Sequence, residues 1–169
     1  MLAQFYPTQW LDSTYEIPFE TWYEKGYRGI IFDIDNTLVP HGAPATKEAV
    51  ELFRRLHKIG FETCLTSNNK EPRVAPFAKA VDSKYIYKAG KPKKAGYEKA
   101  MRLMGTDPTT TFFVGDQLFT DVFGANRIGI PTILVKPIHP KEEIQIVLKR
   151  FLEKIVLYFY QRQQKKKGA

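Results

Sequence analysis

The sequence contains a single cysteine, only three histidines and no long apolar run. Cys64 has no second cysteine with which to form an internal disulfide, and its apolar neighbours are typical of a buried, unreactive thiol. His41, His57 and His139 have neither catalytic-triad nor metal-ligand spacing. No segment approaches the roughly 18 to 20 apolar residues of a membrane-spanning helix, and no charged start followed by an apolar stretch indicates a signal peptide. These absences predict a protein of the reducing cytoplasm.

Aromatic residues and cations are abundant, but both are concentrated at the ends of the chain. Eight aromatic residues fall within the first 27 positions, namely Phe5, Tyr6, Trp10, Tyr15, Phe19, Trp22, Tyr23 and Tyr27. Residues 141–169 carry eight cations against three acidic residues, which accounts for most of the net charge of +8. A localised basic segment predicts a polyanionic partner, whether anionic lipid, nucleic acid or the phosphates of a substrate.

The middle of the chain alternates short apolar runs with helical patterns, which predicts an α/β fold with a parallel sheet and crossover helices. The first run, Gly29–Phe32, is continuously apolar, as expected of a strand buried on both faces. About five strands are predicted, over 29–32, 61–66, 85–87, 111–114 and 131–135. Helices are predicted over 46–59, from 72 onwards, and over 94–104, 120–128 and 140–160. A chain of 169 residues is expected to form one domain.

Three segments are predicted within this domain: an aromatic strap (1–28) with one helix over 18–25, the core (29–139), and a closing helix with a basic tail (140–169). Eight apolar residues share one side of the closing helix, namely Ile144, Val147, Leu148, Phe151, Leu152, Ile155, Tyr158 and Phe159. The opposite side carries Lys149, Arg150, Glu153 and Lys154. An amphipathic helix packed on the sheet and a helix lying on a membrane surface both fit this pattern.

Two carboxylates, Asp33 and Asp35, directly follow the first predicted strand. Open α/β sheets bind their ligands at the carboxyl ends of the strands. Such a pair suits phosphoryl transfer, because one carboxylate can attack phosphorus while the other protonates the leaving oxygen and later activates water. A turn at the strand end explains the same residues without a function, since Asp and Asn are common turn formers.

Polar residues also follow the other predicted strands. Ser67 and Asn68 offer a hydroxyl and an amide to a phosphate, although a helix N-cap explains them equally well. Lys91 offers a point charge to a phosphoryl oxygen, although a surface loop is an alternative. Asp116 and Asp121 offer oxygen ligands to Mg²⁺, or else belong to a glycine turn and the first turn of a helix. Their shared position at one edge of the sheet favours a phosphoryl-transfer site.

These motifs resemble, in order, those of the haloacid dehalogenase (HAD) superfamily of aspartate-nucleophile phosphatases: Asp33-x-Asp35-x-Thr37, Ser67, Lys91 and Gly115-Asp116-x-x-x-Thr120-Asp121. The resemblance extends from about residue 29 to residue 135 and implies a three-layer α/β/α Rossmann-like core. It implies that Asp33 is the nucleophile and Asp35 the general acid and base. An acid at position 35 indicates a phosphatase, because dehalogenases of this kind lack one there.

The resemblance also implies a Mg²⁺ site and a phosphate site. The metal would be held by Asp33, the carbonyl of Asp35, Asp116 and, as a further support, Asp121. The transferring phosphoryl group would be bound by Ser67 and Lys91, with Asn68 beside them.

The superfamily's substrate-choosing cap domains have no room in this chain. About ten residues separate Thr37 from the next predicted helix, and only 24 positions separate Ser67 from Lys91. The chain therefore resembles the capless subclass IIIA, and within it the bacterial relatives of mitochondrial phosphatidylglycerophosphate phosphatases. That likeness implies a lipid-headgroup phosphomonoester as substrate and a peripheral position at the inner face of the membrane through the basic C-terminal helix.

Two other functions fit parts of the same pattern. A phosphatase acting on nucleic-acid end phosphates or on a phosphoprotein would use the same motifs and would also favour an open, basic surface. A non-catalytic basic binding module would be expected to lack one of the acids, whereas all four motifs are intact.

Overall fold

Six parallel strands form one open sheet in the computed structural model, which describes residues 2–139 and 144–167. The strands are β1 (Gln9–Leu11), β2 (Gly29–Phe32), β3 (Glu62–Thr66), β4 (Lys84–Ile86), β5 (Thr111–Gly115) and β6 (Thr132–Val135). Their order in the sheet is β1-β6-β5-β2-β3-β4, and every pairing is parallel. Parallel neighbours need crossover connections, and helices on both faces confirm the predicted three-layer α/β/α fold.

The helices are α1 (Phe19–Glu24), α2 (Lys47–Ile59), α3 (Glu71–Val81), α4 (Lys94–Met104), α5 (Phe123–Asn126) and α6 (Ile144–Lys167). Local signals fix the ends of α2. The Thr46 hydroxyl accepts a hydrogen bond from the Ala49 amide at the start, and Gly60 ends the helix with a φ of 116°. Glycine adopts this left-handed conformation at little cost, which makes it a common helix terminator.

The central strand β2 is buried along its whole length between β3 and β5. On one face of the sheet the core includes Trp22 of α1, Phe53 of α2 and Phe77 of α3. On the other face it includes Tyr97 of α4 and Ala125 of α5. Burial on both faces explains why β2 is continuously apolar. Because all strands are parallel, the segments that follow β2, β3, β4 and β5 meet at one edge.

The N-terminal segment contributes a sixth strand that was not predicted. Residues of β1 pair with β6, with Trp10 opposite Leu134. A three-residue edge strand that begins with glutamine has too little apolar periodicity to be recognised. The helix predicted over 18–25 is confirmed as α1.

The segment after β5 also differs from its prediction as one helix over 120–128. A π-helical turn, Leu118–Val122, precedes the short helix α5. The wider turn directs the Asp121 carboxylate inward, where it meets Lys91 and the Gln117 amide. Such π turns are frequent at functional sites.

Helix α6 packs on the domain through a side that was not predicted to do so. Glu153, Val156 and Tyr160 are buried. The described members of the predicted apolar side are 44–64% exposed, namely Leu148, Phe151, Leu152, Ile155, Tyr158 and Phe159. The interpretation that this side packs on the sheet was therefore wrong, because Arg150 and Glu153 turn the helix toward polar partners next to β5.

Of two further expectations for this helix, one lies outside the described residues and the other differs from the structure. The predicted start at Pro140, and the side chains of Ile144 and Val147, lie outside the described residues. The helix continues beyond the predicted end at Tyr160 as far as Lys167. Within the described ranges, every helix is too short or too polar to span a bilayer.

Candidate active site

Four predicted site residues meet at the carboxyl edge of the sheet. The Asp33 amide donates to the Val114 carbonyl (2.9 Å) and so extends the pairing of β2 with β5. Lys91 comes from the loop after β4, and its Nζ lies 2.6 Å from Asp33 Oδ1 and 2.8 Å from Asp121 Oδ1. Asp116 directly follows β5. Each of these four charged residues is at most 8% exposed, so the cluster is buried.

Three of the carboxylates form a candidate site for a divalent cation. One oxygen from each of Asp33, Asp116 and Asp121 lies within 4.8 Å of the others. The Thr37 hydroxyl bridges two of them, at 3.3 Å from Asp33 Oδ2 and 3.2 Å from Asp116 Oδ1. Hard divalent cations prefer oxygen ligands, carboxylates above all. The donor set therefore fits such a cation.

The electrostatics of the cluster also favour an added positive charge. Burial raises the pKa of Asp33 to about 6, although the Lys91 ammonium acts in the opposite direction. Burial and repulsion from Asp33 and Asp121 raise the pKa of Asp116. Burial lowers the pKa of Lys91, but attraction to Asp121 and Asp33 outweighs burial and leaves that pKa raised. A cation among these carboxylates would stabilise their charged forms.

A glycine makes room for the last of the predicted acids. A Cβ atom on Gly115 would overlap the Asp121 carboxylate and the ring of Phe113. With that space open, Asp121 Oδ2 accepts a hydrogen bond from the Gln117 amide (3.1 Å) while Oδ1 faces Lys91. The spacing of the fourth motif thus returns a carboxylate to the end of β5.

Asp35 lies at the same edge, but its carboxylate is not part of the three-carboxylate cluster. It accepts hydrogen bonds from the Gly42 amide (2.7 Å), Asn69 Nδ2 (2.9 Å) and Arg73 Nη2 (2.9 Å). Asn69 and Arg73 belong to the loop after β3 and the start of α3, and the sequence pattern did not single out either residue. The loop after β3 therefore orients the predicted acid and base.

The two predicted phosphate-binding residues after β3 have different surroundings. Ser67 is 3% exposed, and its hydroxyl accepts a hydrogen bond from the Asn69 amide (3.1 Å). Asn68 binds the backbone of Lys91 in both directions, since Oδ1 accepts from the Lys91 amide (2.8 Å) and Nδ2 donates to its carbonyl (3.2 Å). Asn68 therefore positions Lys91, and a direct contact of Asn68 with phosphate stays a prediction.

Two residues of α6, Arg150 and Glu153, contact the site and were not predicted to do so. Arg150 Nη2 lies 2.5 Å from Asp116 Oδ2, and its Nη1 donates to the Asp116 carbonyl (2.6 Å) and to Glu153 Oε2 (2.9 Å). Glu153 Oε1 accepts a hydrogen bond from the Leu118 amide (2.9 Å). A charged pair spaced i,i+3 within an aromatic, apolar helix was the signal available in the sequence. The prediction had placed both residues on the side of the helix opposite the apolar one.

The described residues contain no cap domain at either of the two insertion points. Between Thr37 and α2 there are nine residues, 38–46. Between Ser67 and Lys91 the chain forms only α3, β4 and their connections. The carboxylate cluster is therefore bordered on that side by loops of the core rather than by a second domain.

Comparisons with known proteins agree with this geometry. The family model described as haloacid dehalogenase-like hydrolase matches residues 41–129. The probable phosphatase YqeG of Bacillus subtilis (strain 168) is 36% identical over 159 residues, which cover 93% of this chain and 92% of that protein. Phosphatidylglycerophosphate phosphatase 1, chloroplastic/mitochondrial, of Arabidopsis thaliana is 29% identical over 160 residues, which cover 82% of this chain and 45% of that protein.

A solved structure shares the fold at lower identity. The cobalt-bound deoxy-D-mannose-octulosonate 8-phosphate phosphatase from Haemophilus influenzae has a TM-score of 0.50 and 13% identity, and the match covers 67% of this chain and 80% of that one. On the family match and the long alignment to YqeG, the chain belongs to the haloacid dehalogenase-like hydrolase family, as a phosphatase without a cap domain.

Proposed function

We propose that this chain hydrolyses phosphomonoesters with Mg²⁺ through a phosphorylated Asp33. The observation that carries the proposal is the buried cluster of Asp33, Asp116 and Asp121, in which Lys91 contacts Asp33 and Asp121. Mg²⁺ would be held by Asp33 and Asp116, with the Asp35 carbonyl and Asp121 as further support. When bound, the ion stabilises the charge of the phosphoryl oxygens in the transition state.

The two acids of the first motif divide the chemistry between them. A carboxylate oxygen of Asp33 bonds to phosphorus as the bond to the leaving oxygen breaks, and Asp35 gives its proton to that oxygen. Asp35 then removes a proton from water, whose oxygen attacks phosphorus and breaks its bond to Asp33, which releases inorganic phosphate. For these transfers Asp35 exchanges a hydrogen bond from Asn69 or the Gly42 amide for one to the reacting oxygen.

The transferring phosphoryl group is bound by Lys91 and Ser67 in this proposal. Lys91 Nζ lies 2.6 Å from the attacking carboxylate, so its ammonium also reaches a phosphoryl group bonded to Asp33. Ser67 presents a buried hydroxyl at the end of β3. Asn68 supports this site by holding the backbone of Lys91, and its amide is a further donor for a phosphate oxygen.

As substrate we propose a large or lipid phosphomonoester, with phosphatidylglycerophosphate as the leading candidate. The similarity to the Arabidopsis phosphatase supports it. So does α6, which exposes Leu148, Phe151 and Tyr158 on a helix that also carries Lys149 and Lys154. Apolar and basic residues on one helix suit the surface of an anionic bilayer, which would place the protein peripherally at the inner face of the membrane.

A substrate panel tests this choice against the alternative of nucleic-acid end phosphates or phosphoproteins. Purified protein is assayed with Mg²⁺ on phosphatidylglycerophosphate, 5′-phosphorylated oligonucleotides and phosphopeptides. We expect kcat/KM for the lipid to be at least about tenfold the others, a barrier difference of ~1.4 kcal/mol. A preference of that size for the oligonucleotide or the peptide would overturn the lipid as the proposed substrate. It would not affect the proposed phosphatase chemistry.

A further inference from the structure

An apolar cavity of about 430 Å³ lies between α6 and the end of β6, beside the carboxylate cluster. Its apolar walls include Trp10, Leu134, Pro137, Phe151 and Leu157. Asp116 lines the same cavity, so the cavity adjoins one of the three clustered carboxylates. This volume is within the range of small-molecule binding sites, which are mostly apolar with a few polar groups. The four motifs account for no part of this cavity except Asp116.

Cationic side chains lie among the apolar residues that line this cavity. Lys136, Arg150 and Lys154 all line it. Lys136 is paired with Asp12 (2.6 Å), and Arg150 is paired with Asp116. Lys154 forms no ion pair with any of the residues that the structure describes. Its ammonium is therefore available to an anionic group of a ligand.

We propose that this cavity binds the leaving group of the substrate and that α6 takes the place of a cap domain in selecting it. The occupant is an anionic amphiphile: its phosphomonoester lies at Asp33, its acyl portion fills the apolar walls, and a second anionic group meets Lys154. This inference rests on the proposed function, because Asp116 is shared by the catalytic cluster and the cavity wall. An oligonucleotide end is polar along its length, and the backbone of a phosphopeptide is polar, so neither offers a continuous acyl chain to the apolar walls.

Two water-soluble substrates that differ only in their acyl chains test the proposed contact of those chains with the apolar walls. They are dihexanoyl phosphatidylglycerophosphate, kept below its micelle concentration, and its deacylated form. Neither forms a bilayer, so vesicle binding does not contribute. We expect kcat/KM to be at least about tenfold higher for the acylated substrate, since burying even two methylene groups has this effect.

The outcomes separate the cavity from the chemistry. Equal kcat/KM values for the two substrates would overturn the cavity proposal and leave the phosphatase intact. Turnover of p-nitrophenyl phosphate that needs Asp33, with no turnover of either lipid form, would reject both the lipid substrate and the proposed occupant. Turnover that is unchanged in Asp33→Asn would instead reject the proposed chemistry.

A matched pair of variants locates the acyl preference on the helix. Phe151 and Phe159 are both exposed on α6, at 62% and 44%, but only Phe151 is among the residues that line the cavity. We expect Phe151→Ser to lower the acylated-to-deacylated ratio of kcat/KM about fivefold, as loss of an apolar contact does. We expect Phe159→Ser to leave that ratio within about twofold. Equal losses in both variants would assign the preference to the helix surface and overturn the cavity.

A second pair tests the contact with an anionic group. Lys154 and Lys149 are both exposed on α6, and Lys154 alone of the two lines the cavity. The measured quantity is the preference for the deacylated substrate over glycerol 3-phosphate, given as a ratio of kcat/KM values. Glycerol 3-phosphate lacks the phosphodiester. We expect Lys154→Ala to reduce that preference about tenfold, as expected of one charge-assisted contact, and Lys149→Ala to change it less than about twofold. No change in Lys154→Ala, or equal changes in both, would remove Lys154 from the site.

Discussion

The carboxyl edge of the sheet, which is the proposed catalytic edge, and helix α6 both depart from the usual burial of apolar side chains and exposure of charged ones. The edge buries Asp33, Lys91 and Asp116 almost completely, whereas α6 leaves Leu148 and Phe151 more than 60% exposed. Burying a charge is costly unless it is paired, and exposed apolar patches commonly mark contact surfaces. This contrast supports the proposal that the edge acts on a charged group and that α6 contacts an apolar partner.

The two regions meet at Arg150. Its guanidinium contacts the Asp116 carboxylate on the catalytic side and Glu153 on the helix. Removing either region would therefore break the ion pair between Arg150 and Asp116. Arg150 therefore connects α6 directly to the carboxylate cluster.

Substitution of Asp33, the proposed nucleophile, should have the largest effect on the comparison. We expect Asp33→Asn to reduce kcat at least about 1,000-fold, ~4 kcal/mol in the barrier, because an amide does not attack phosphorus. The fold should persist, since the amide has nearly the same shape. Asp107→Asn, at an exposed acid before β5, is the control and should retain activity. A loss below tenfold in Asp33→Asn would show that the edge does not work through this carboxylate.

Chelation of divalent cations tests the proposed Mg²⁺ dependence of activity at the same edge. Activity should vanish in EDTA and return on addition of Mg²⁺, because the carboxylate cluster lacks the charge that the ion supplies. Asp116→Asn should raise the Mg²⁺ concentration needed for half-maximal activity at least about tenfold, the loss expected for a principal ligand. Titration calorimetry measures the ion's binding directly. Full activity after exhaustive chelation would contradict the proposed Mg²⁺ dependence.

Substitution of Arg150 tests whether α6 and the carboxyl edge stabilise each other. Arg150→Ala should lower the free energy of unfolding by about 3 kcal/mol, because Asp116 and Glu153 then lose a partner in a mostly buried setting. Urea denaturation measures the loss. Arg162→Ala, an exposed position further along α6, should cost less than about 0.5 kcal/mol. Similar small losses in the two variants would mean that α6 is not coupled to the catalytic edge.

Sequence patterns predicted that the residues of the site meet at one edge of the sheet, because they directly follow short apolar runs. Asp33 and Asp116 come immediately after β2 and β5, and parallel strands bring such positions together whatever the loops do. The contacts of α6 could not be predicted in the same way. Periodicity identified its apolar side, but Arg150 and Glu153 bind specific groups beside β5, and these contacts decide which side faces the core. The edge strand β1 was missed because three residues carry no periodicity.

The buried thiol of Cys64 gives the smallest expected effect and tests how well the core of the sheet excludes water. Cys64 in β3 is fully buried, as the sequence predicted, and burial raises its pKa from 9.0 to about 12. Between these values the unfolded chain releases the thiol proton and the folded chain keeps it, so stability falls as the pH rises. The fall attributable to Cys64 should approach ~1.4 kcal/mol per pH unit.

Comparison with Cys64→Ala isolates that contribution. The difference between the unfolding free energies of wild type and variant should be constant up to about pH 9 and then change with rising pH, in favour of the variant. Guanidinium unfolding at pH 8, 9 and 10 measures it. Parallel pH profiles for the two proteins would show that the thiol ionises as easily in the folded chain as in the unfolded one.

The central claim is a phosphoryl group carried by Asp33, and mass spectrometry of an acid-quenched reaction tests it most directly. Trypsin should release residues 29–47, which are flanked by Arg28 and end at Lys47. During turnover the wild-type peptide should carry one phosphoryl group, located by fragmentation on Asp33, and the same peptide from Asp33→Asn should carry none. Turnover without any phosphorylated peptide, or a phosphoryl group on another residue such as Ser67, would contradict the account.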